Sequence, residues 1–185
     1  RPCHCGSCTC DESNEMMSMK GAVVYDSVFG NTKLVAEAIA EQIQADGHSA
    51  TTLNLRKEGA KPVQADFLFI GGPTRIKKMT RRVRGYIKKL DKDEWSDKPV
   101  IAFDTYGPMA KTDEDRRKGD KWINPGAAKG MIELGRKKGL KMYPATLRCA
   151  VVDLKGPLEP EALDKAKRFT HEFILSLAGA QAAVS

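Results

Sequence analysis

After Tyr25 the chain reads Asp26-Ser27-Val28-Phe29-Gly30-Asn31-Thr32 and then turns to a helical pattern. Hydroxyls stand at both ends of this loop, a glycine lies inside it, and the start of a helix follows. That combination suits a phosphate. The first amides of a helix have no partner within it, and its dipole favours an anion there. Ser27 and Thr32 add two hydroxyl donors, and Gly30 permits a positive φ or a close approach. A polar turn with Thr32 as a plain helix cap is the competing reading. The loop matches neither the P-loop pattern, with its closing Gly-Lys-Ser/Thr, nor the G-x-G-x-x-G dinucleotide fingerprint.

A second cluster of chemistry-bearing residues opens the chain. Cys3, Cys5, Cys8 and Cys10 surround His4 within eight residues. Four soft ligands of this kind suit zinc, copper or an iron–sulfur cluster, although the spacing is unusual for a zinc knuckle. Residues 1–18 are Cys-, Ser- and Met-rich without periodicity, so they also read as a tail or extension ahead of the domain. The cluster stands as a candidate metal site and no more. The histidines His4, His48 and His171 are scattered, and no nucleophile–base set is evident. Cys149 sits in an apolar run and reads as core.

The elements that must carry the loop alternate. Residues 21–25 are a short apolar run of buried-strand type, and residues 50–55, 67–70, 99–103 and 147–152 read as four further strands. Residues 31–45 carry Leu34, Val35, Ala38, Ile39 and Ile43 at helical spacing, and Gly47 stops the helix. Residues 78–90 and 160–177 show similar stripes. Residues 125–138 begin with a proline and are followed by Gly139, which suits a further helix. Residues 107–121 are charged and aperiodic, and are expected as a long functional loop. Five strands alternating with helices imply an α/β fold with a parallel sheet covered on both faces. Ligands of such sheets bind beyond the carboxyl ends of the strands, so the loops after strands one, three and four matter most. One domain over residues 19–178 is expected, with 179–185 as a frayed end. Trp95 falls at the opposite end of the sheet and reads as packing, and Trp122 reads as a hydrophobic staple before a helix.

Hydrophobic residues make up 41% and charged residues 30%, a balance that fits a folded domain rather than a disordered or fibrous chain. No apolar run has the length of a membrane span, and no signal pattern opens the sequence, so a cytoplasmic protein without a membrane partner is expected. The net charge is +7. Without the first 18 residues, 30 bases stand against 21 acids, a charge of +9. Arg75, Lys77, Lys78, Arg81, Arg82, Arg84, Lys88 and Lys89 follow one another without an acid among them. Such a surface attracts anionic partners.

Residues 20–41, KGAVVYDSVFGNTKLVAEAIAE, resemble the opening of flavodoxin-type proteins, whose phosphate loop is matched here by Ser27, Gly30, Asn31 and Thr32. Gly71-Gly72-Pro73-Thr74-Arg75, leading to Met79 and a helix, resembles the family's second flavin loop. The resemblance implies a three-layer α/β/α, doubly wound, five-stranded parallel sheet of order 2-1-3-4-5. It also implies flavin mononucleotide (FMN) as cofactor and electron transfer with redox protein partners as function. Its phosphate would lie on Ser27, Val28, Phe29, Gly30, Asn31 and Thr32. Its ring would lie between Pro73, Thr74, Arg75 and Ile76 on one side and Thr105, Tyr106 and Gly107 on the other. Tyr106 stacking on the ring competes with Tyr106 packing on Trp122 or Ile123. Two departures stand out. Many flavodoxins have a glycine where Arg75, Ile76 and Lys77 stand, a glycine whose peptide turns over on reduction. Many are also acidic, whereas this body is basic, which implies a partner with an acidic face and a raised flavin potential.

Three other functions fit less well. A phosphorylated receiver domain would match Thr105 and Lys155, but Gly71-Gly72-Pro73 stands where its acceptor aspartate belongs. An NAD(P)H:quinone or nitro reductase of the same fold would need residues 107–121 as a pocket wall. A nucleic-acid module would use the basic run, but Tyr86 falls on the apolar stripe and no aromatic interleaving supports base stacking.

Overall fold

A computed structural model describes residues 17–107 and 112–182. The candidate cluster Cys3, Cys5, Cys8 and Cys10 lies outside the described residues. In chain order the elements are β1 (Lys20–Tyr25), α1 (Asn31–Ala45), β2 (Ser49–Asn54), α2 (Leu55–Glu58), β3 (Phe67–Pro73) and α3 (Arg81–Lys89). They continue with α4 (Lys92–Trp95), β4 (Val100–Tyr106), α5 (Asp113–Ile123), α6 (Ala127–Lys138), β5 (Leu147–Ala150) and α7 (Ala162–Ala182). The strands form one parallel sheet in the order β2-β1-β3-β4-β5.

The apolar runs form strands because both faces of the sheet are covered. Side chains alternate between faces along a strand. Ala22, Val24, Leu68, Ile70 and Ala102 face one core with α3 and α6. Val23, Tyr25, Phe67, Phe69, Ile101 and Phe103 face the other with α1 and α7. There Phe173 of α7 packs edge-on to Phe67 and Phe69, each at a ring separation of 5.4 Å. Full burial of one such side chain is worth roughly 1.5–3 kcal/mol, so these rings dominate the attachment of α7.

Several boundaries differ from the sequence expectation. Gly71-Gly72-Pro73 continues β3, with Pro73 opposite Thr105. Gly71 is there because a Cβ would overlap the Phe103 ring of the neighbouring strand. β4 likewise runs on through Tyr106, whereas β5 stops at Ala150. The helix expected from residue 78 begins at Arg81, where the Thr80 hydroxyl accepts from the Val83 amide at 3.5 Å. Residues 75–78 instead make a tight turn, with Arg75 and Lys78 exchanging backbone bonds of 2.8 and 3.0 Å. The second strand ends at Asn54, whose side chain caps α2. Residues 113–123, expected as loop, are helical. Thr112 caps α5, Glu114 and Lys118 pair along it at 2.6 Å, and none of its residues is buried. Without an apolar stripe it left no periodic signal. Trp122 therefore ends a helix rather than stapling the next, and is exposed. Leu34, expected on the apolar face of α1, is exposed as well. Trp95 is buried in the core beside α3 and α6, as packing requires. No described helix is long and apolar enough to cross a membrane.

Candidate functional site

β1 lies inside the sheet with β2 and β3 on opposite sides, so the chain leaves β1 and β3 in opposing crossover directions. The crevice at this switch point opens beyond Tyr25, Pro73 and Tyr106, the carboxyl ends of β1, β3 and β4.

The loop after β1 is built around one hydroxyl. Ser27 Oγ accepts from the amides of Gly30 and Lys33 at 3.2 and 3.3 Å. Its oxygen is committed to the turn, which leaves its hydrogen to donate outward. Gly30 has φ +93° at the N-terminus of α1. The amides of Val28, Phe29, Asn31 and Thr32 have no partner among the described residues. Four free amides beside a helix N-terminus form an anion cradle. A Cβ on Gly30 would meet nothing within 4 Å. Gly30 is thus required by its dihedral rather than by crowding within the protein.

Thr32 lies inside α1 and is not its cap, which is Gly30. Its hydroxyl is buried and lies 2.8 Å from that of Thr105, joining the first loop to β4. Asn31 reaches sideways and donates to the Lys155 carbonyl at 3.1 Å.

The second loop is held from β4 and α6. Thr74 N donates to the Thr105 carbonyl at 2.8 Å. Thr74 Oγ1 donates to Asp104 at 2.8 Å and accepts from the Ala127 amide at 2.9 Å. Ile76 and Lys77 follow in left-handed conformations, with φ +46° and +66°. The turn thus adopts positive φ without a glycine, and Lys77 N is bound to the Trp122 carbonyl at 2.9 Å.

Asp104 anchors a network that the sequence did not reveal. Fully buried, it accepts from Thr74, from Ala128 N at 3.2 Å and from Arg148 Nε at 2.9 Å. The same guanidinium donates to Asn124 Oδ1 and to the Ile123 carbonyl. It also lies 4.3 Å from the centre of the Tyr106 ring. One face of Tyr106 is therefore occupied by Arg148, not by Trp122 or Ile123. Burial pushes the Tyr106 phenol upward, and the Arg148 charge opposes that shift. Gly107 follows with φ +148°, where a Cβ would strike Val151. On the far side, Asp26 is fully buried and accepts from Arg56 Nε at 3.1 Å. Its other carboxylate oxygen has no partner among the described residues.

The cleft between these loops measures about 70 Å³. Val28, Phe29, Asn31, Thr32, Pro73 and Thr74 line it, as do Arg75, Thr105, Tyr106 and Gly107. Ser27 and Gly30 shape the turn without lining the cleft, and Ile76, next to Arg75, is exposed and does not line it. Val151 and Leu154, which the sequence reading missed, complete the wall from the segment after β5. The exposed apolar residues there, Val152 and Leu154, were the available signal. Pockets that enclose a drug-sized ligand run to about 300–1,000 Å³, so this cleft admits only part of one and leaves the rest at the rim. FMN fits that arrangement. The amide cradle suits its phosphate, and a lining that includes Phe29, Pro73 and Tyr106 suits one edge of its ring.

A family model described as "Flavodoxin domain" matches residues 22–183. An uncharacterized protein of Methanocaldococcus jannaschii is 27% identical over 95 residues, covering 49% of this chain and 24% of that one. The rubredoxin oxygen:oxidoreductase of Desulfovibrio gigas superposes with a TM-score of 0.66 at 19% identity, over 86% of this chain and 36% of that one. The chain thus spans about a quarter and about a third of these two relatives. Flavodoxin 2 of Bacillus cereus gives a TM-score of 0.64 at 16% identity, covering 85% and 99%. A flavodoxin from the domain Archaea gives 0.60 at 23%, covering 82% and 94%.

Proposed function

Because the chain belongs to the flavodoxin family, whose cofactor is FMN, we propose that it is an electron carrier between redox proteins. Bound FMN supplies the redox chemistry, taking up and returning one or two electrons. The protein's part is binding, orientation and electrostatics. The amides of Val28, Phe29, Asn31 and Thr32 and the hydroxyl of Ser27 would hold the phosphate. Backbone groups of Thr74, Arg75 and Ile76 and of Thr105, Tyr106 and Gly107 would border the ring. The guanidiniums of Arg75 and Arg148 would add positive charge near it, which favours an anionic reduced flavin. No side chain is assigned an acid–base role.

One observation carries the carrier reading. Six of the large apolar side chains exposed on the surface, Val28, Phe29, Ile76, Trp122, Val152 and Leu154, stand at this one end of the sheet. A concentrated apolar surface marks a site where another molecule docks. A protein partner seated there would meet the exposed part of the cofactor. The basic body gives that partner an acidic face, and a reduced, cytoplasmic setting belongs to the same reading.

The test is an absorption spectrum of the protein incubated with FMN, followed by two assays. Slow oxidation of NADPH by the loaded protein alone, with fast turnover once a flavoprotein reductase is added, supports the carrier. Fast NADPH oxidation without a reductase replaces it with an NAD(P)H-dependent reductase. A preparation that takes up no FMN ends both readings.

A further inference from the structure

On the sheet face that carries α3 and α6, the two helices enclose a cleft of about 470 Å³, apart from the FMN site. Its floor is apolar, made by Met79, Leu134 and Pro125, with Gly130 between them. Gly130 lies inside α6, where glycine costs about 1 kcal/mol relative to alanine. A Cβ there would stand 3.3 Å from the Met79 methyl and raise the floor. Lys77, Lys78, Arg84, Lys88 and Lys137 surround this floor, with Glu133 the one acid. None of the five cations has a carboxylate within 4 Å among the described residues.

Helix dipoles account for part of this charge. Lys88 and Lys137 sit in the last turns of α3 and α6, where cations are favoured. That explanation does not reach Lys77 and Lys78, which precede α3, or Arg84 in its middle. The five cations are exposed, and apart from Glu133 the rest of the lining is uncharged. A small anion would be better served by a buried polar anchor. A nucleic-acid backbone would have no use for the apolar floor. An amphipathic helix satisfies both features, with apolar anchors down its centre and carboxylates on either side.

We propose that the α3–α6 cleft is the docking groove for an acidic amphipathic helix of the protein's redox partner. Its position supports the role. Lys77 belongs to the turn that opens with Arg75, which lines the FMN cleft, and Pro125 and Gly126 precede the Ala127 amide that binds Thr74. A helix in the groove brings its protein alongside the cofactor edge. The identity of the partner as a redox protein rests on the carrier reading; the binding of an acidic helix does not.

The experiment uses the full chain, ¹⁵N-labelled, and a synthetic helix-forming peptide with leucines on one face flanked by glutamates. Amide shifts concentrated on Met79, Gly130 and Leu134, with affinity falling as salt rises, are the expected result. Leu134→Glu and the pair Arg84→Glu/Lys137→Glu should each weaken the peptide by at least about tenfold. Leu134 is half-buried against the core whereas Arg84 and Lys137 are exposed, so circular dichroism checks that each variant stays folded and the charge pair tests the groove if Leu134→Glu does not. Shifts that scatter, or centre on Val28 and Leu154 instead, overturn the groove. So does affinity unchanged by either variant, or a DNA duplex that moves the same amides and binds more tightly. FMN uptake and electron exchange with a reductase are measured separately. Peptide binding without FMN uptake leaves the groove standing and removes the carrier, and uptake without peptide binding does the reverse.

Discussion

The hydroxyls of Thr32 and Thr105 lie 2.8 Å apart in the protein interior, tying the first turn of α1 to β4 across β3. The bond ties the phosphate loop to a strand that also borders the ring site. Replacing either residue by valine keeps the volume and leaves the other hydroxyl buried without its partner, which costs about 1–3 kcal/mol. Replacing both removes the orphan, so the double variant should be less destabilised than the two singles sum to. Where Thr105 is the donor, the Thr32 hydroxyl keeps its own hydrogen for the phosphate, so Thr32→Ala should also weaken FMN by about 1 kcal/mol, the size of one net hydrogen bond. Urea denaturation across the cycle, with FMN titrations beside it, reads both effects. Strict additivity would mean that the two hydroxyls do not act together.

Gly30 invites a second substitution series. Its φ of +93° is strained for any residue with a Cβ, at about 1–2 kcal/mol, and most for a β-branched one. Since a Cβ there would touch no protein atom, packing adds no penalty before the cofactor arrives. Gly30→Asn should therefore be milder than Gly30→Val, because asparagine visits the left-handed region more readily. Stability without FMN and affinity for FMN should fall in the same order. Equal FMN affinity for all three proteins would remove the phosphate from this loop.

The Asp104–Arg148 pair is predicted to matter more for stability than for binding. Arg148→Ala strands a fully buried carboxylate that keeps only Thr74 and Ala128 as donors, and loss of one partner of a buried pair costs about 3–5 kcal/mol. Arg148→Lys should not restore the loss. A lysine cannot serve Asp104, Asn124 and the Ile123 carbonyl at once with the fixed fork that Arg148 presents over Tyr106. Thermal unfolding of the parent and the two variants decides it. An Arg148→Lys variant as stable as the parent would show that charge alone, not the fork, holds this corner.

The middle of the sheet was legible because β1, β3 and β4 are buried on both faces, so Val23-Val24 and Phe67 to Ile70 stand out as unbroken apolar runs. The phosphate loop was legible for a similar reason, since its residue types sit together in the chain. What escaped was built from long-range pairs or from exposed elements. Arg148 lies 44 positions from Asp104 and emerges from a four-residue edge strand that reads as core. α5 is held by a cap and ion pairs without an apolar stripe, and periodicity is blind to such a helix. Gly71-Gly72-Pro73 carries turn chemistry in sequence, yet its pairing with Phe103, Asp104 and Thr105 of β4 keeps it within β3.

Cys149 supplies a prediction in pH. The thiol is buried in β5, and burial pushes it from an ordinary 9.0 up to about 11. Folded protein should therefore leave Cys149 unmodified by iodoacetamide near neutral pH, whereas denatured protein is labelled there. The same shift makes stability depend on pH. Below about pH 9 the thiol is protonated in both states, and the folded state loses nothing. As pH rises from about 9 to 11, the unfolded chain releases this proton and the folded chain holds it, so stability falls. The full span of that shift corresponds to roughly 2–3 kcal/mol. The Tyr86 phenol, raised by burial to about 12, steepens the decline above pH 10 in the same sense. Cys149→Ala should therefore show a shallower loss of stability than the parent between about pH 9 and 11, whatever its stability at neutral pH. Parallel curves for the two proteins would mean that the thiol ionises as readily in the fold as outside it.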